Sequence, residues 1–213
     1  MQEPKRIPCK SHPDVVLEAI PGHFVTPNSH VNYFIDMANL KHRLSEASAT
    51  AKALSEQISA TTVVDTIVCM DGCEIIGAYL AEELTKAGIY SMNSHKTIYI
   101  VTPEFVNTNQ LMFRENYLHM IKGKNVLLLL DSATTGKTII KAVQTLGYYG
   151  AAISGVSAVF SAANSVMGIP ITSLFSLSDI SDYKTYAPEN CALCKEGVSI
   201  DAFANGFGYS RIN

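Results

Sequence analysis

An uninterrupted apolar strand followed by a helix constrains this chain more than any other feature. The run NVLLLL, residues 125–130, has no polar alternation, which is typical of a strand buried on both faces of a parallel sheet. The run is followed by the turn DSATTG, residues 131–136. The stretch TGKTIIKAVQTLGYYGA, residues 135–151, overlaps the end of this turn, and we interpret it as the helix that follows the strand. This stretch therefore predicts one strand–helix unit of an α/β sheet.

The same order of elements recurs along most of the chain. We predict further strands at residues 61–70, 96–101, 153–162 and 170–177, and helices at residues 39–59 and 71–88. Strands that alternate with helices predict an α/β fold with a doubly wound, mainly parallel central sheet flanked by helices.

We expect a single domain over residues 1–213. Residues 1–38 would form an N-terminal arm or small hood segment, because residues 1–20 are polar and contain three Pro. Residues 39–213 would form the α/β core with a C-terminal tail.

Composition excludes several classes of function. The net charge is −3 and no basic block occurs, so we expect no nucleic-acid partner. No apolar run is long enough to span a bilayer, and no signal-peptide pattern is present, so we expect no membrane partner. Five Cys, an odd number, argue against a disulfide framework and for a cytoplasmic protein.

The GKT sequence after the central strand does not belong to an ATP-binding P-loop. That motif, G-x-x-x-x-G-K-[ST], requires a Gly five residues before the second one. Counting back from Gly136 leads to Asp131, so the motif fails at its first position.

The turn at residues 131–136 is nevertheless a candidate site for a phosphorylated sugar. Backbone N–H groups and the positive end of the helix favour a phosphate there, and Thr134, Thr135 and Thr138 add hydroxyl donors. Gly136 lets the backbone approach a ligand closely. Asp131 suits a sugar hydroxyl or a bound Mg²⁺. The alternative is an ordinary turn in which Asp131 caps the helix and nothing is bound.

Four stretches together resemble the type I phosphoribosyltransferases, most closely the orotate phosphoribosyltransferases. VLLLLDSATTGKT resembles their motif for phosphoribosyl pyrophosphate (PRPP), and PGHFVTPNSHVNYFID, residues 21–36, resembles the N-terminal segment of the orotate enzymes. CMDGCEIIGAYLAEEL is similar to the pyrophosphate loop and its helix. CALCKEGV is similar to a short Cys-x-x-Cys segment near the C-terminus of some orotate enzymes.

This resemblance implies transfer of ribose 5-phosphate from PRPP to a pyrimidine-like base, with release of pyrophosphate and assistance from Mg²⁺ held through the substrate. It also implies a homodimer. Asp131 would be the catalytic acid that faces the ribose hydroxyls. The pyrophosphate would be bound by Asp71, Gly72 and Cys73. The other phosphate-binding positions would be Ser132, Ala133, Thr134, Thr135, Gly136, Lys137 and Thr138.

The chain departs from the family pattern at three points. Leu130 replaces the first acid of the PRPP motif, and Ser161-Ala162 replaces a sequence whose Arg reads the base. The lysines of the loop that covers pyrophosphate are missing, and Arg114 is the sole cation of TPEFVNTNQLMFREN. Arg114 would either cover the phosphates as a hood cation or pair in solvent with Glu104 or Glu115.

Two functions therefore remain open. The first is an orotate-type phosphoribosyltransferase, and the second is a catalytically impaired or inactive sensor that binds PRPP or a nucleotide. Both hypotheses use the same phosphate turn.

Several aromatic and histidine residues have two interpretations. Phe24, Tyr33 and Phe34 would either stack on a planar base or pack in the core. His23 and His30 would either contact the base or a partner subunit, or simply form hydrogen bonds.

Cys191 and Cys194 have the spacing of half a structural zinc site. The other two ligands would come from Cys9, His12, Cys69, Cys73 or a partner chain. Ordinary packing of the two thiols is the alternative, and we favour it here.

Overall fold

The protein is described by a computed structural model at residues 3–86, 91–94, 96–106 and 110–212. The described residues form strands β1 (Lys5–Pro8), β2 (Val16–Val25), β3 (His30–Asp36), β4 (Thr66–Cys69), β5 (Tyr99–Val101), β6 (Glu104–Val106), β7 (Gln110–Met112), β8 (Asn125–Ala133), β9 (Ala152–Ser161), β10 (Ser165–Val166), β11 (Ile169–Ser176), β12 (Thr185–Tyr186), β13 (Ala202–Asn205) and β14 (Gly208–Arg211). The α-helices are α1 (Ala38–His42), α2 (Leu44–Ser55), α3 (Glu74–Lys86), α4 (Lys137–Tyr148) and α5 (Ala192–Lys195). Two short 3₁₀ helices span Glu115–Met120 and Pro188–Asn190.

The central sheet has the strand order β10-β11-β9-β8-β4-β5. Neighbouring strands from β11 to β5 are parallel, and β10 alone pairs antiparallel with its neighbour β11. The prediction of an α/β fold with a mainly parallel sheet is confirmed. The predicted strand at residues 125–130 occupies the middle of this sheet and extends further, to Ala133.

Both faces of β8 are buried, which explains its apolar sequence. Leu127 and Leu129 belong to the cluster that contains residues of α2 and α3. Val126, Leu128 and Leu130 belong to a second cluster with residues of α4. Because successive side chains of a strand point to opposite faces, this strand needs apolar residues at every position.

Both ends of the chain join a second sheet, which we call the hood sheet: β1, β2, β3, β12, β13 and β14. The predictions of a surface arm at residues 1–20 and of a simple C-terminal tail are wrong. Leu17, Ala19 and Phe24 of β2 are buried in the same cluster as Leu127 of the central sheet. Proline misled the sequence interpretation, because an edge strand such as β1 tolerates it.

Other predicted elements differ in their bounds. The helix predicted at residues 39–59 is divided into α1 and α2, because Arg43 has an extended backbone with φ −97° and ψ 126°. The strand predicted at residues 61–70 is reduced to β4, and the helix predicted at residues 71–88 corresponds to α3. Its expected terminator, Gly88, lies outside the described residues.

Two helical glycines should respond oppositely to alanine. A Cβ atom at Gly77 would lie 2.4 Å from Cys69 Sγ in the buried core, whereas one at Gly147 would meet nothing within 4 Å. Alanine favours a helix by about 1 kcal/mol over glycine, but overpacking a core costs about 1–3 kcal/mol. We expect Gly77→Ala to lower the free energy of unfolding in urea and Gly147→Ala to raise it. Equal stabilisation by both substitutions would contradict the packing of α3 on β4.

Candidate functional site

A cavity of about 360 Å³ lies between the hood sheet and the end of β8. Its size is within the range of small-molecule sites. Its walls come from the turn after β8, the start of α4, the turn before α3, the β6–β7 ribbon and the turn between β13 and β14. The carboxyl ends of parallel strands are where ligands bind in such sheets.

The predicted phosphate turn forms one wall of this cavity. All of the positions from Ser132 to Thr138 line it. Gly136 has φ 71°, the left-handed conformation that glycine adopts most readily, and a Cβ atom there would lie 2.6 Å from Val166 Cγ2. The helix α4 begins directly after Gly136, so the free N–H groups of its first turn border the cavity.

A buried lysine that the sequence analysis missed binds the predicted catalytic acid. Lys41 Nζ lies 2.8 Å from Asp131 Oδ2, and both side chains are about one-twentieth exposed. Lys41 also donates to the Asp71 carbonyl at 2.8 Å and to the Gly206 carbonyl at 2.5 Å. These three contacts use all three N–H donors of the ammonium group.

The second oxygen of Asp131 is not paired within the described part of the protein. Asp131 Oδ1 is buried and has no hydrogen-bond partner among the described residues. Burial raises the pKa of Asp131 above its ordinary value, and the Lys41 ammonium opposes that rise. An unpaired buried acceptor is costly, and the hydroxyl of a bound sugar or a metal ion would satisfy it.

Asp71 supplies a second carboxyl group to the cavity wall. Its backbone has φ 54° in a turn where Gly72 has φ 79°. Burial and then the charge of Asp131 raise the pKa of Asp71 to about 6. The turn at Gly206 packs so closely on Asp71 that a Cβ atom at position 206 would lie 2.8 Å from its Oδ1.

Cys73, which was predicted to contribute to a pyrophosphate loop, does not line the cavity. Its side chain is fully buried, and its backbone N–H donates to the Met70 carbonyl at 3.1 Å. Gly72 is half-buried and lies outside the cavity wall, of which Asp71 is part. The tight turn that Gly72 permits uses the Cys73 amide internally, so a ligand cannot reach it.

The predicted base-stacking residues divide between the core and the cavity. Phe24 is completely buried against Phe34 and Tyr209, with ring centroids at 5.7 and 6.0 Å, so the packing interpretation is correct for it. Phe34 and Tyr33 do line the cavity. The Tyr33 hydroxyl is occupied, because it donates to the Asp182 carboxylate and accepts from Lys5.

Two exposed phenylalanines of the cavity were not identified from sequence. Phe207, at the tip of the β13–β14 turn, is 86% exposed, and Phe105, on β6, is 53% exposed. Exposed aromatic rings beside a cavity are suited to stacking on a planar ligand. The only sequence signal was a Phe between two glycines, NGFGY.

Arg114 does not cover the phosphate turn. Its Nη2 lies 2.6 Å from Glu104 Oε2 and its Nε lies 3.0 Å from the same oxygen, so the interpretation of a solvated pair is correct. In addition to Lys41, the cavity wall contains the cationic side chains of Lys137 and Lys141, one turn apart on α4.

The Cys-x-x-Cys pair lies outside this cavity. Cys191 and Cys194 meet His23 and His30, which the sequence analysis had not joined to them. Among the ligand candidates considered from sequence, His12 instead pairs with Glu56 at 3.1 Å, and Cys9 Sγ contacts the Leu174 carbonyl oxygen at 3.9 Å.

Comparison with known proteins assigns this fold and its relatives. No protein-family model matches the chain. The orotate phosphoribosyltransferase of Chlorobium phaeobacteroides is 28% identical over 182 residues, which cover 85% of this chain and 86% of that protein. The crystal structure of the orotate phosphoribosyltransferase from Aeropyrum pernix superposes with a TM-score of 0.54 at 20% identity, covering 84% of this chain and 92% of that one.

The chain is similar to orotate phosphoribosyltransferases in sequence, and it has the fold of the type I phosphoribosyltransferases. A third relative, the orotate phosphoribosyltransferase of Mycobacterium tuberculosis, was crystallised with PRPP; it superposes with a TM-score of 0.50 at 16% identity, covering 68% of this chain and 82% of that one. Among the described residues of the chain, no helix is long and apolar enough to cross a membrane.

The difference from the phosphoribosyltransferase pattern is visible at the stretch that resembles the PRPP motif. Leu130, which replaces the first acid, is completely buried among residues of the α4 side of the sheet. The second carboxyl group near Asp131 comes instead from Asp71, at the end of the neighbouring strand β4. Asp131 therefore has a neighbouring acid in the cavity, although the motif itself contains one acid.

Removal of the Lys41 side-chain charge should destabilise the protein strongly. We expect Lys41→Met to lower the free energy of unfolding by about 3–5 kcal/mol, because it leaves the Asp131 carboxylate buried without a counter-ion. Lys52→Met, on the exposed side of α2, removes the same charge and should have little effect. Denaturant unfolding measures both.

The double variant Lys41→Met/Asp131→Asn should recover most of that loss, since it removes both charges. If Lys41→Met were no more destabilising than Lys52→Met, the Lys41–Asp131 contact would not exist in solution.

Asp71 should make stability depend on pH. Because folding raises its pKa from 3.8 to about 6, the folded state binds more protons between these values, and its contribution to stability falls as pH rises from about 4 to about 6. We expect Asp71→Asn, which suits a left-handed backbone, to remove this fall, whereas Asp14→Asn on the surface serves as the charge-matched control. Urea unfolding across the same pH range measures the difference. Parallel profiles for wild type and Asp71→Asn would contradict the assignment.

Proposed function

We propose that this protein transfers the phosphoribosyl group of PRPP to a ring nitrogen of a pyrimidine-like base and releases pyrophosphate. The observation that carries the proposal is the unpaired, buried Asp131 Oδ1 beside the free N-terminus of α4. That pair of groups suits a ligand with hydroxyls next to a phosphate. The names of the relatives support the same reaction class.

The phosphate turn would hold the 5′-phosphate. Thr134, Thr135 and Thr138 offer hydroxyl donors, and the first turn of α4, with its free N–H groups, borders the same space. Lys137 and Lys141 place two positive charges at this wall. The site would thus position the ribose ring, which is the main requirement for this reaction.

The two carboxyl groups would face the ribose and the leaving group. Asp131 Oδ1 would accept a hydrogen bond from a ribose hydroxyl. Asp71 is charged only above about pH 6, so it would accept a further hydroxyl or approach a cation at neutral pH. Asp71 is a candidate ligand for Mg²⁺ held by the substrate phosphates, an ion that would supply positive charge for the departing pyrophosphate.

The aromatic residues of the cavity would hold the base. Phe34 lies on the hood-sheet wall, and Phe207 and Phe105 stand at the exposed edge. Ser161 and Ala162 replace the Arg that would read a carboxylate of orotate. A pyrimidine-like base without a carboxylate therefore fits this chain better than orotate. The homodimer that the family resemblance implies stays a prediction.

A second function, binding of PRPP or a nucleotide without turnover, is favoured by two observations. All three N–H donors of the Lys41 ammonium group form hydrogen bonds with the protein itself. The Arg114 guanidinium pairs with Glu104. Neither cation can contact pyrophosphate without breaking these bonds. Weak stabilisation of the leaving group would make the protein a sensor with the same fold.

An assay of pyrophosphate release separates the two functions. The protein would be incubated with PRPP, Mg²⁺ and a panel of bases that includes orotate, uracil and cytosine, while calorimetry measures PRPP binding. Base-dependent release of pyrophosphate supports the transferase. Saturable binding of PRPP without release from any base supports the sensor. Absence of binding would refute both.

A negative charge in the phosphate turn should abolish binding in either case. We expect Thr135→Glu to weaken PRPP binding by at least about tenfold, because a carboxylate next to a phosphate is repulsive. Gln144→Glu, on the exposed side of α4, adds the same charge outside the cavity and should leave affinity unchanged. Calorimetry measures affinity, and circular dichroism checks folding. Equal affinities for the two variants would show that the turn does not hold the phosphate.

A further inference from the structure

Four side chains from three segments converge at a second site, away from the cavity. The ligand atoms of His23, His30, Cys191 and Cys194 all lie within 4.8 Å of one another. His23 Nε2 lies 3.6 Å from Cys191 Sγ and 3.7 Å from Cys194 Sγ, and His30 Nδ1 lies 3.4 Å from Cys194 Sγ. The two ring nitrogens are 3.0 Å apart.

These separations are close to the edges of a zinc tetrahedron. Bond lengths of about 2.3 Å to sulfur and about 2.0–2.1 Å to nitrogen give edges of about 3.6 Å between sulfur and nitrogen and about 3.3 Å between nitrogens. The four distances of 3.0–3.7 Å, with every ligand atom within 4.8 Å of the others, leave room for one ion at the centre of the cluster.

The backbone directs His23 into the cluster. The register of β2 and β3 shifts between Pro21 and Phe24, a bulge that turns the His23 side chain out of the ladder. Asp201 fixes this position, because its Oδ2 accepts from the His23 N–H at 2.8 Å and its own N–H donates to the His23 carbonyl at 2.9 Å.

The ring of His23 is also held in the tautomer that a metal requires. Nδ1 lies 2.9 Å from the Val198 carbonyl oxygen. A carbonyl accepts only, so Nδ1 carries the proton and Nε2 presents its lone pair to the cysteines. This carbonyl–histidine arrangement is the usual support behind a metal-binding imidazole.

The segment that carries the cysteines lacks a hydrophobic anchor. Between residues 187 and 200, Cys191 alone is fully buried, and α5 has only four residues. Because the segment buries so little apolar surface, packing contributes little to holding it in place. A metal ion that cross-links it to the hood sheet would stabilise its position. Two cysteines on one helical turn and two histidines of the hood sheet supply a complete set of ligands.

We propose that His23, His30, Cys191 and Cys194 bind one zinc ion in a closed, tetrahedral, structural site. Soft thiolates together with imidazoles in a tetrahedron select zinc over Mg²⁺ or Ca²⁺. Binding displaces the two thiol protons, so the two thiolates balance the charge of the ion. The site would fasten residues 187–200, and with them the approach to β13, onto β2 and β3.

The first test is the metal content of the full chain, purified without chelators and without any substrate. Elemental analysis should find about one zinc per chain. After removal of the metal, titration with Co²⁺ should produce the thiolate-to-metal charge-transfer band and the intense visible bands of a tetrahedral site. Absence of zinc together with absence of these Co²⁺ bands would overturn the proposal.

Ligand variants test the assignment of residues. Cys194→Ser and His30→Asn should each lower zinc affinity by at least about tenfold in chelator competition. Cys9→Ala and His12→Asn, which change the same residue types outside the cluster, should keep zinc at the wild-type level. Retention of zinc by both ligand variants would refute the assignment.

Thermal unfolding with and without a zinc chelator provides a second measurement. The chelator should lower the unfolding temperature of the wild type and of both control variants, and it should not affect Cys194→Ser. An equal response of Cys194→Ser and wild type would show that the metal binds elsewhere. Because no PRPP is present, these outcomes do not depend on the proposed enzymatic function.

Discussion

The ammonium group of Lys41 determines how the cavity is assembled. It binds residues that are 30, 90 and 165 positions away in sequence: the Asp71 carbonyl, the Asp131 carboxylate and the Gly206 carbonyl. A buried ammonium is stable only when its charge is paired and its donors are satisfied. The turn before α3, the end of β8 and the β13–β14 turn must therefore meet at one point, and the cavity surrounds that point.

This arrangement also explains why the acids of the site differ in character. Asp131 shares its charge with Lys41 through one oxygen and keeps the other unpaired. Asp71 gives only its carbonyl to Lys41; burial first, and then the charge of Asp131, raise the pKa of its carboxyl group to about 6, and the Lys41 charge opposes that rise. One fixed cation thus forms an ion pair with one of two neighbouring acids and leaves the other without one.

Local sequence was sufficient for the parts of the structure that depend on neighbours in the chain. The strand β8, its glycine turn and α4 were predictable because burial on both faces and a left-handed Gly136 act over a few residues. Lys41 was not, because its role depends on the break at Arg43 and on a hairpin far along the chain. The two interpretations of Phe24 could not be separated from sequence, since an aromatic residue in a strand gives no sign of which face is the core. The proximity of His23 to the Cys-x-x-Cys pair was not predictable either, because it depends on a bulge in β2 that no local sequence pattern indicates.

The β13–β14 hairpin carries a consequence for the order of events during protein synthesis. Residues 202–211 emerge from the ribosome after every other wall of the cavity has been made. Until then Lys41 lacks one acceptor, and β2 lacks the neighbour that pairs at Phe24 and Val25. The cavity is therefore the part of the fold that is completed last as the chain is made, since one of its walls and one acceptor of Lys41 come from this hairpin.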